Sequence, residues 1–204
     1  MPPALVIGTR NRGKFREIAA VLAPLGLDLR PLDAFPDVGE VPETGRTFEE
    51  NARAKALAYA EATGLWALAD DSGIEVDALD GAPGVLSARW GGVAGDDARN
   101  NRTLLAALAG HPRERWTARF RCVMVLAEPG RVLATTEGAC EGLITDRPAG
   151  SNGFGYDPLF YLPERGCTMA ELAPEEKNRI SHRGRALEAM KRHLAALLGS
   201  AGGR

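Results

Sequence analysis

The N-terminal stretch constrains the fold more than any other part of the sequence. Residues 4–9, "ALVIGT", form a short apolar run that is typical of a buried strand. A polar turn follows, and apolar residues at helical spacing then predict a helix over residues 14–25. A second strand is predicted at residues 27–32. Strand, turn, helix and strand in this order indicate an α/β fold.

The next part of the chain continues this alternation and then departs from it. Thr47, three residues before Glu50, predicts the capped start of a helix that ends near Gly64. The run "LWALADDSG" predicts a strand that ends in two carboxylates and a turn, and "IEVDAL" a further short strand. A third helix is predicted over residues 97–109. Two strand-like runs around the Pro-Gly of "AEPGR" predict a long hairpin at residues 117–144.

The C-terminal part predicts a short strand, "LFYL", and two helical stretches, the last over residues 181–198 with Ser181 as its N-cap. Together these patterns predict an α/β fold with a long central mixed β-sheet and helices around it. A length of 204 residues suits a single domain, which we place at residues 1–200. The glycine-rich end, residues 199–204, is predicted to be a flexible tail.

Composition excludes several classes of function. A formal net charge of −2 and a pI near 6.0 lack the basic footprint of a protein that binds nucleic acid polymers. The three cysteines are widely spaced, which argues against a disulfide framework or a zinc knuckle. No apolar run approaches the ~18 residues of a membrane span, and the N-terminus does not read as a signal peptide. We therefore expect a cytoplasmic protein.

The turn "GTRNRGKF" has the spacing of a phosphate-binding P-loop, G-x-x-x-x-G-K, but Phe15 stands where Ser or Thr would help to hold magnesium. A strand, a polar turn and a helix start still favour an anion, because free backbone N–H groups and the helix dipole meet there. Thr9, Asn11 and Lys14 add polar and charged side chains. The alternative is a solvated basic turn.

Carboxylates at the end of a strand predict a metal site. Asp70 and Asp71 follow an apolar run, and Glu43 precedes the capped helix. Hard oxygen ligands suit Mg²⁺. Because neighbouring strand residues point to opposite faces, only one of the Asp pair should face the site unless the turn begins there. Lys55 lies in the capped helix and is either a solvated charge or a phosphate clamp; the alternative for Asp70 and Asp71 is an ordinary turn.

Two later motifs could hold a nucleoside. In "SNGFGYDP" the glycines permit close approach of the backbone, and Phe154 and Tyr156 offer flat faces for a base. In "SHRG", His182 and Arg183 bring donors and positive charge to the first turn of a helix, where cations oppose the dipole. That placement suggests that an anion or an acceptor-rich base offsets them. The alternatives are an ordinary tight turn and a frayed surface turn.

Five motifs in this order resemble the inosine triphosphate pyrophosphatase family, the Ham1-like enzymes that remove non-standard purine nucleoside triphosphates. They are "TRNRGK", "ETGxTFEENAxxKA", "ADDSGIEVDALxGAPGVxSARW", "GFGYDPLF" and "EEKNRISHRGxA". They extend from Thr9 to Ala186 and so cover nearly the whole chain. Arg10 departs from the frequent family wording "TGN", in which glycine occupies this position.

The resemblance implies an ITPase-like fold with two lobes and a substrate cleft between them, a homodimer, and Mg²⁺-dependent cleavage of ITP, dITP or XTP to monophosphate and pyrophosphate. It implies that Glu43 and Asp71 serve the metal and that Asp71 also accepts a proton from the attacking water. Lys14 and Lys55 would assist catalysis at the phosphates. The implied phosphate ligands are Thr9, Arg10, Asn11, Arg12, Gly13 and Lys14. The implied nucleoside ligands are Ser72, Phe154, Gly155, Tyr156, Asp157, Lys177, His182 and Arg183.

Two other functions fit the same residues. A related pyrophosphatase could act on modified pyrimidine triphosphates, although "SHRG" with "GFGYD" favours purines. A nucleotide-sensing module could bind without turnover, but a pure binder gains little from Asp71 beside the phosphate loop. The base preference among hypoxanthine, xanthine and their analogues is left open by the sequence.

Overall fold

The computed structural model describes residues 3–201 and contains a mixed α/β arrangement, as predicted. Strand β1 (Ala4–Ile7) leads through the polar turn into helix α1 (Arg12–Leu22). The remaining elements are β2 (Asp28–Pro31), α2 (Phe48–Thr63), β3 (Trp66–Val76), α3 (Asp97–Leu108), β4 (Thr117–Glu128), β5 (Arg131–Ile144), β6 (Phe160–Leu162), β7 (Cys167–Thr168), α4 (Pro174–Ile180) and α5 (His182–Ala201).

The seven strands form one sheet in the order β2-β1-β3-β4-β5-β6-β7. Strand β1 pairs in parallel with both β2 and β3, whereas β6 pairs antiparallel with β5 and β7. The prediction of a mixed sheet is therefore confirmed. Within the described residues, no helix is both long and apolar enough to span a membrane.

The chain divides into two compact units, each with its own hydrophobic core. Unit 1 comprises the chain up to Asp71, residues 122–138 and the chain from Arg183 onward; unit 2 comprises residues 72–121 and 139–182. The core of unit 1 is built by aliphatic side chains of β1, α1, β3, β4 and α5. The core of unit 2 includes aromatic residues, among them Trp116, Phe120 and Phe160.

The capped helix α2 forms as its sequence predicts. The Thr47 hydroxyl accepts a hydrogen bond from the Glu50 N–H at 3.1 Å, and Gly64 closes the helix in the left-handed region at φ 66°. The Glu50 carboxylate accepts from the backbone N–H of Arg46 at 2.6 Å, one residue earlier than a standard capping box requires. Both ends of α2 are thus fixed by residues recognisable in the sequence.

Strand β3 differs from the prediction of two strands separated by a turn, because it continues without interruption from Trp66 to Val76. The residue that suggested the turn, Gly73, serves close packing instead. A Cβ at Gly73 would lie 2.4 Å from the Ser87 hydroxyl and 2.5 Å from the Gly84 carbonyl oxygen. The Ser87 hydroxyl accepts from the N–H of Ile74 at 2.9 Å, so glycine here lets a neighbouring segment bond to the strand.

Three element boundaries also differ from those predicted. Helix α1 begins earlier, at Arg12, because Asn11 caps it, and a 3₁₀ turn, Ala23–Leu25, follows its end. Helix α5 begins at His182, directly after the predicted N-cap residue Ser181, which is also the C-cap of α4. Helix α5 continues to Ala201 and so includes residues 199–201 of the predicted tail, whereas residues 202–204 lie outside the described part of the chain.

Candidate functional site

The two adjacent aspartates of β3 have separate sets of partners in unit 1. Asp71 accepts a hydrogen bond from the Asn51 side-chain amide at 2.9 Å, whereas Asp70 lies 3.0 Å from the Lys14 ammonium. Both carboxylates are buried, at 4 % and 2 % exposure. Alternation along an extended strand explains this division, because successive side chains point to opposite faces.

Lys55 lies between two carboxylates. Its Nζ is 2.6 Å from Glu43 Oε1 and 3.8 Å from Asp71 Oδ1. The side chain is buried, so it is not a solvated surface charge. Burial alone would lower the pKa of Lys55, but Asp71, Asp70 and Glu43 together raise it above its ordinary value. Lys55 is therefore a stable cation at neutral pH.

Burial raises the pKa of Asp71 above its ordinary value, and the nearby negative charge of Glu43 adds to the effect. The positive charge of Lys55 and the hydrogen bond from Asn51 act in the opposite direction. A carboxylate with a raised pKa binds a proton more readily than an ordinary aspartate, which suits a general base.

Asn51 was not among the predicted site residues, yet it is central to this group. Its side-chain oxygen accepts from the Gly45 N–H at 2.8 Å while its amide donates to Asp71. It thereby joins the loop that carries Glu43 to the middle of β3. The available signal was its spacing, since Asn51 and Lys55 are four residues apart and share one face of α2.

A second buried group of charges surrounds Asp70. Arg183, 2 % exposed, places Nη1 2.7 Å from Glu17 Oε2 and Nη2 3.4 Å from Asp70 Oδ2. Lys14 meets the same Asp70 oxygen, so two cations face two carboxylates. Burial alone would raise the pKa of Asp70, but Lys14, Arg183 and Lys55 outweigh it and hold that pKa well below its usual range.

This network answers the question raised by Arg183 at the start of a helix. The sequence suggested that an anion or a base offsets its charge; in the structure the anions are Asp70 and Glu17 of the same chain. Glu17 was not predicted, and only its place one turn after Lys14 on α1 could have indicated it.

The predicted phosphate loop is folded around its own cap. Asn11 Oδ1 accepts from the N–H groups of Gly13 and Lys14, at 2.8 and 3.0 Å, and the Asn11 N–H donates to the Thr9 hydroxyl. Two N–H groups on which the anion prediction relied are therefore bonded to Asn11. Arg10 is paired with Asp33 at 2.9 Å.

A pocket of about 550 Å³ opens beside this loop. Its lining includes three arginines and comprises Thr9, Arg10, Asn11, Arg12, Phe15, Arg16, Pro31 and Asp33. Positive side chains around a pocket of this size suit a phosphate chain. Lys14 is not among the lining residues and is directed to Asp70 instead.

The predicted nucleoside residues of unit 2 form a compact group around Asp157. Asp157 Oδ2 accepts from the Phe154 N–H at 2.9 Å and from the Lys177 ammonium at 2.7 Å. Lys177 Nζ also lies 4.7 Å from the centre of the Phe154 ring, a cation–π distance. Gly153 has φ 81°, and a Cβ there would lie 2.1 Å from Asp157, so glycine is required beside this carboxylate.

The two aromatic residues of "GFGYD" have different environments. Tyr156 is 4 % exposed in the core of unit 2, and its hydroxyl donates to the Ser87 carbonyl at 2.8 Å. The expectation that its ring offers a face to a base is therefore wrong, and a substrate contact there would involve its backbone. Phe154 is half-buried.

His182 and Ser72 also belong to unit 2. The His182 ring stacks on Phe120, with ring centres 4.7 Å apart and planes 15° from parallel. Ser72 is half-buried on β3, directly after Asp71. Unit 1 thus brings together Glu43, Lys55 and Asp71, as predicted, whereas unit 2 brings together Phe154, Asp157 and Lys177.

The chain belongs to the Ham1 family, whose model matches residues 5–193. A protein of Geobacter sulfurreducens named dITP/XTP pyrophosphatase is 56% identical over 190 residues, covering 93% of this chain and 96% of its own length. A Geobacillus kaustophilus protein of the same name is 52% identical over 198 residues and covers 97% of both chains.

Solved structures agree with this assignment. A HAM1 protein from Coxiella burnetii superposes with a TM-score of 0.87 at 42% identity, covering 95% of this chain and 99% of that one. A structure from Mycobacterium abscessus, described as a nucleoside-triphosphatase and dITP/XTP pyrophosphatase, gives 0.74 at 48% identity, with 92% and 97% covered. The resemblance drawn from the five motifs is confirmed.

Proposed function

We propose that this protein hydrolyses non-standard purine nucleoside triphosphates, such as ITP, dITP and XTP, to the monophosphate and pyrophosphate, and so removes them from the nucleotide pool. Membership of the Ham1 family and relatives named dITP/XTP pyrophosphatase over nearly the full length support this function. The structural observation that carries it is the position of Asp71, fixed by Asn51 beside the cation of Lys55.

In this mechanism Asp71 accepts a proton from the water that attacks the phosphate chain. The bond from Asn51 fixes one carboxylate oxygen, Oδ2, and the raised pKa strengthens the affinity of the carboxylate for a proton. Lys55 stabilises the negative charge that develops on the pyrophosphate leaving group, because a preorganised cation needs no reorganisation during the reaction. Lys14 has the same role from the start of α1.

We further propose Mg²⁺ as the cofactor, held by Glu43 and Asp71. The donor set suits this ion, since both groups are hard carboxylates that converge on one cation, Lys55 Nζ. Among the described residues no group of three or more His, Cys, Asp or Glu side chains is arranged to hold a metal. Mg²⁺ usually uses one or two carboxylates plus substrate phosphates. When bound, Mg²⁺ neutralises phosphate charge and lowers the pKa of water.

Different residues bind the phosphate chain and the nucleoside in this proposal. The loop Thr9 to Lys14 holds the phosphate chain, with Arg10 and Arg12 adding charge. The nucleoside is held by residues that we infer to act together: Ser72, Phe154, Gly155, Tyr156 through its backbone, Asp157, Lys177, His182 and Arg183. The Phe154 ring, with Lys177 beside it, is the surface on which the base stacks.

Two further parts of the proposal rest on the family resemblance. We infer that the protein is a homodimer and that it acts in the cytoplasm, where the nucleotide pool is found. Light scattering coupled to size-exclusion chromatography measures the mass directly. A value near 21.7 kDa, the mass of one chain, would contradict the dimer.

The decisive assay incubates the purified protein with ITP or XTP and Mg²⁺ and separates the products. We expect inosine or xanthosine monophosphate and pyrophosphate in equal amounts, no reaction in EDTA, and recovery when Mg²⁺ is added back. Formation of IDP and orthophosphate would contradict α–β cleavage. Binding of ITP without turnover would favour a sensing module, and faster cleavage of modified pyrimidine triphosphates would favour the related pyrophosphatase.

A further inference from the structure

Gly155, the residue after the proposed base-stacking Phe154, is held on both sides by one helix. Its N–H donates to Asp97 Oδ2 at 2.7 Å, and its carbonyl oxygen accepts from Asn101 Nδ2 at 3.0 Å. Asp97 and Asn101 are four residues apart on α3 and therefore share one face. The two side chains bond both peptide groups that flank the Cα of Gly155.

Gly155 needs such a restraint. Its φ of 64° lies in the left-handed region, and a Cβ added there would meet nothing within 4 Å. Glycine is therefore present for its backbone conformation rather than for space, and glycine readily adopts other conformations. The hydrogen bonds from α3 select one of them.

The cap of α3 requires neither side chain. Asp96 caps the helix by accepting from the Arg99 N–H at 2.9 Å, so Asp97 is not the capping residue. Asn101 Oδ1 is buried and has no hydrogen-bond partner among the described residues. A buried amide with one unsatisfied end costs stability. The bond that Asn101 does make is to Gly155.

The conformation of Gly155 sets the direction of Phe154. On the far side, Tyr156 is anchored in the core through Ser87, so the backbone beyond Gly155 is fixed. On the near side, the Phe154 N–H is bonded to Asp157 and its ring lies against Lys177. Rotation about the Gly155 backbone would turn the ring away from Lys177.

We propose that Asp97 and Asn101 are positioning residues for base recognition, which act by holding Gly155 so that the Phe154 ring faces the purine. This role rests on the proposed function, because it assumes that the base stacks on Phe154. Asp97 and Asn101 bond the residue next to the proposed base-stacking ring and are not among the residues assigned to the phosphates, so their loss should affect binding of the base in ground state and transition state alike. The effect belongs in KM rather than kcat.

The test compares Asp97→Ala and Asn101→Ala with wild type for ITP and ATP. We expect KM for ITP to rise about tenfold, since small misplacements of a substrate contact have effects of this order or larger. We expect kcat to stay nearly constant and the ratio of kcat/KM for ITP to kcat/KM for ATP to decrease. Asp97→Asn keeps an acceptor oxygen and should restore KM. Arg102→Ala, at an exposed position of the same helix, is the matched control and should behave as wild type.

A double-mutant cycle separates positioning from general stability. If Asp97 acts through Phe154, adding Asp97→Ala to Phe154→Ala should cause no further rise in KM, because the contact is already absent. Full additivity, or wild-type KM and selectivity in both alanine variants, would overturn the positioning role while ITP hydrolysis stands. A wild type that does not hydrolyse ITP would contradict the proposed function and, with it, this role. Thermal unfolding of each variant confirms that it is folded.

Discussion

The Lys14 ammonium lies 3.0 Å from Oδ2 of Asp70, a carboxylate that is 2 % exposed on β3. The same oxygen is 3.4 Å from Arg183 Nη2. A lysine predicted to bind phosphate and an arginine predicted to bind a base are thus fixed by one buried aspartate. Asp70 contributes to the candidate site by holding these two cations, whereas Asp71 faces the proposed chemistry.

Replacing each aspartate by asparagine should separate these roles. Asp71→Asn removes the proposed base, so kcat should fall by at least ~10²-fold. Its stability should be equal to or above that of wild type, because the raised pKa of Asp71 means that the fold disfavours its charge. Asp70→Asn should instead destabilise the fold, by up to the ~3–5 kcal/mol typical of breaking a buried ion pair.

Urea unfolding and steady-state kinetics on ITP measure both effects on the same preparations. Asp70→Asn should keep more activity than Asp71→Asn at a temperature where both are folded. The assignment of roles would be wrong if the two variants lost equal activity, or if Asp71→Asn were the less stable of the two.

The contribution of Asp70 to stability should depend on pH. Its pKa is lower in the folded than in the unfolded protein, so its stabilising effect is present above the unfolded value and lost as pH falls below it. The difference in unfolding free energy between wild type and Asp70→Asn should be constant from pH 7 to about 5. It should decrease below about pH 4, near the ordinary pKa of aspartate. A difference that grew on acidification would contradict the ion pair.

The local signals in the sequence predicted most of the fold. Thr47 and Gly64 set both ends of α2, and the Pro-Gly turn between residues 128 and 131 gave the hairpin. The turn predicted at "DDSG" is absent for a physical reason. Gly73 permits close approach by Ser87, which is 14 residues away in the sequence, so local sequence patterns contain no sign of this contact. Such a contact depends on tertiary packing.

The sequence predicted which residues belong to the candidate site better than it predicted which of them form ion pairs. Glu43, Lys55 and Asp71 come together, as the motifs imply. The attachment of Lys14 and Arg183 to Asp70 could not be foreseen, because it joins α1, β3 and α5 across more than 100 residues of sequence. The burial of Tyr156 could not be predicted either, because aromatic residues occur both in hydrophobic cores and in ligand-binding sites; in the structure its hydroxyl bonds to the Ser87 carbonyl.

Cysteine reactivity offers a test of the packing around Asp70. Burial, together with the charge of Asp70, raises the pKa of Cys122 to about 12, so its thiolate is scarce at neutral pH. In the folded protein at pH 8, a thiol reagent should modify the half-buried Cys167 first and leave Cys122 unmodified. Mass spectrometry of digested samples identifies the sites, and protein unfolded in urea is the control. Rapid modification of Cys122 in the folded state would contradict a closed core.

The final prediction concerns selectivity against the common nucleotides. Hypoxanthine and xanthine carry a carbonyl acceptor at C6, whereas adenine carries an amino donor there. N–H groups of His182 and Arg183 could therefore donate hydrogen bonds to the first two bases but not to adenine. A site of this kind can discriminate by roughly 10⁴, because a mismatched base leaves buried polar groups unpaired. We therefore expect ITP and XTP to exceed ATP greatly in kcat/KM. Guanine shares the C6 carbonyl and should be rejected through its 2-amino group.

The contacts of Arg183 and His182 indicate which variants test this selectivity without also destabilising the fold. Arg183→Ala would leave Asp70 and Glu17 without their shared cation, so its loss of activity would include a loss of stability. Arg183→Lys keeps the charge but not the planar fork of donors, and should narrow the ITP-to-ATP ratio while retaining more stability. His182→Ala leaves that ion network intact and removes the ring that stacks on Phe120. Because the proposed donor to C6 is lost with the ring, the ITP-to-ATP ratio of kcat/KM should fall at least ~10-fold, mainly through weaker binding of ITP. If both variants keep the wild-type ratio, discrimination at C6 lies elsewhere, and equal hydrolysis of ATP and ITP by the wild type would contradict selective removal of non-standard purines.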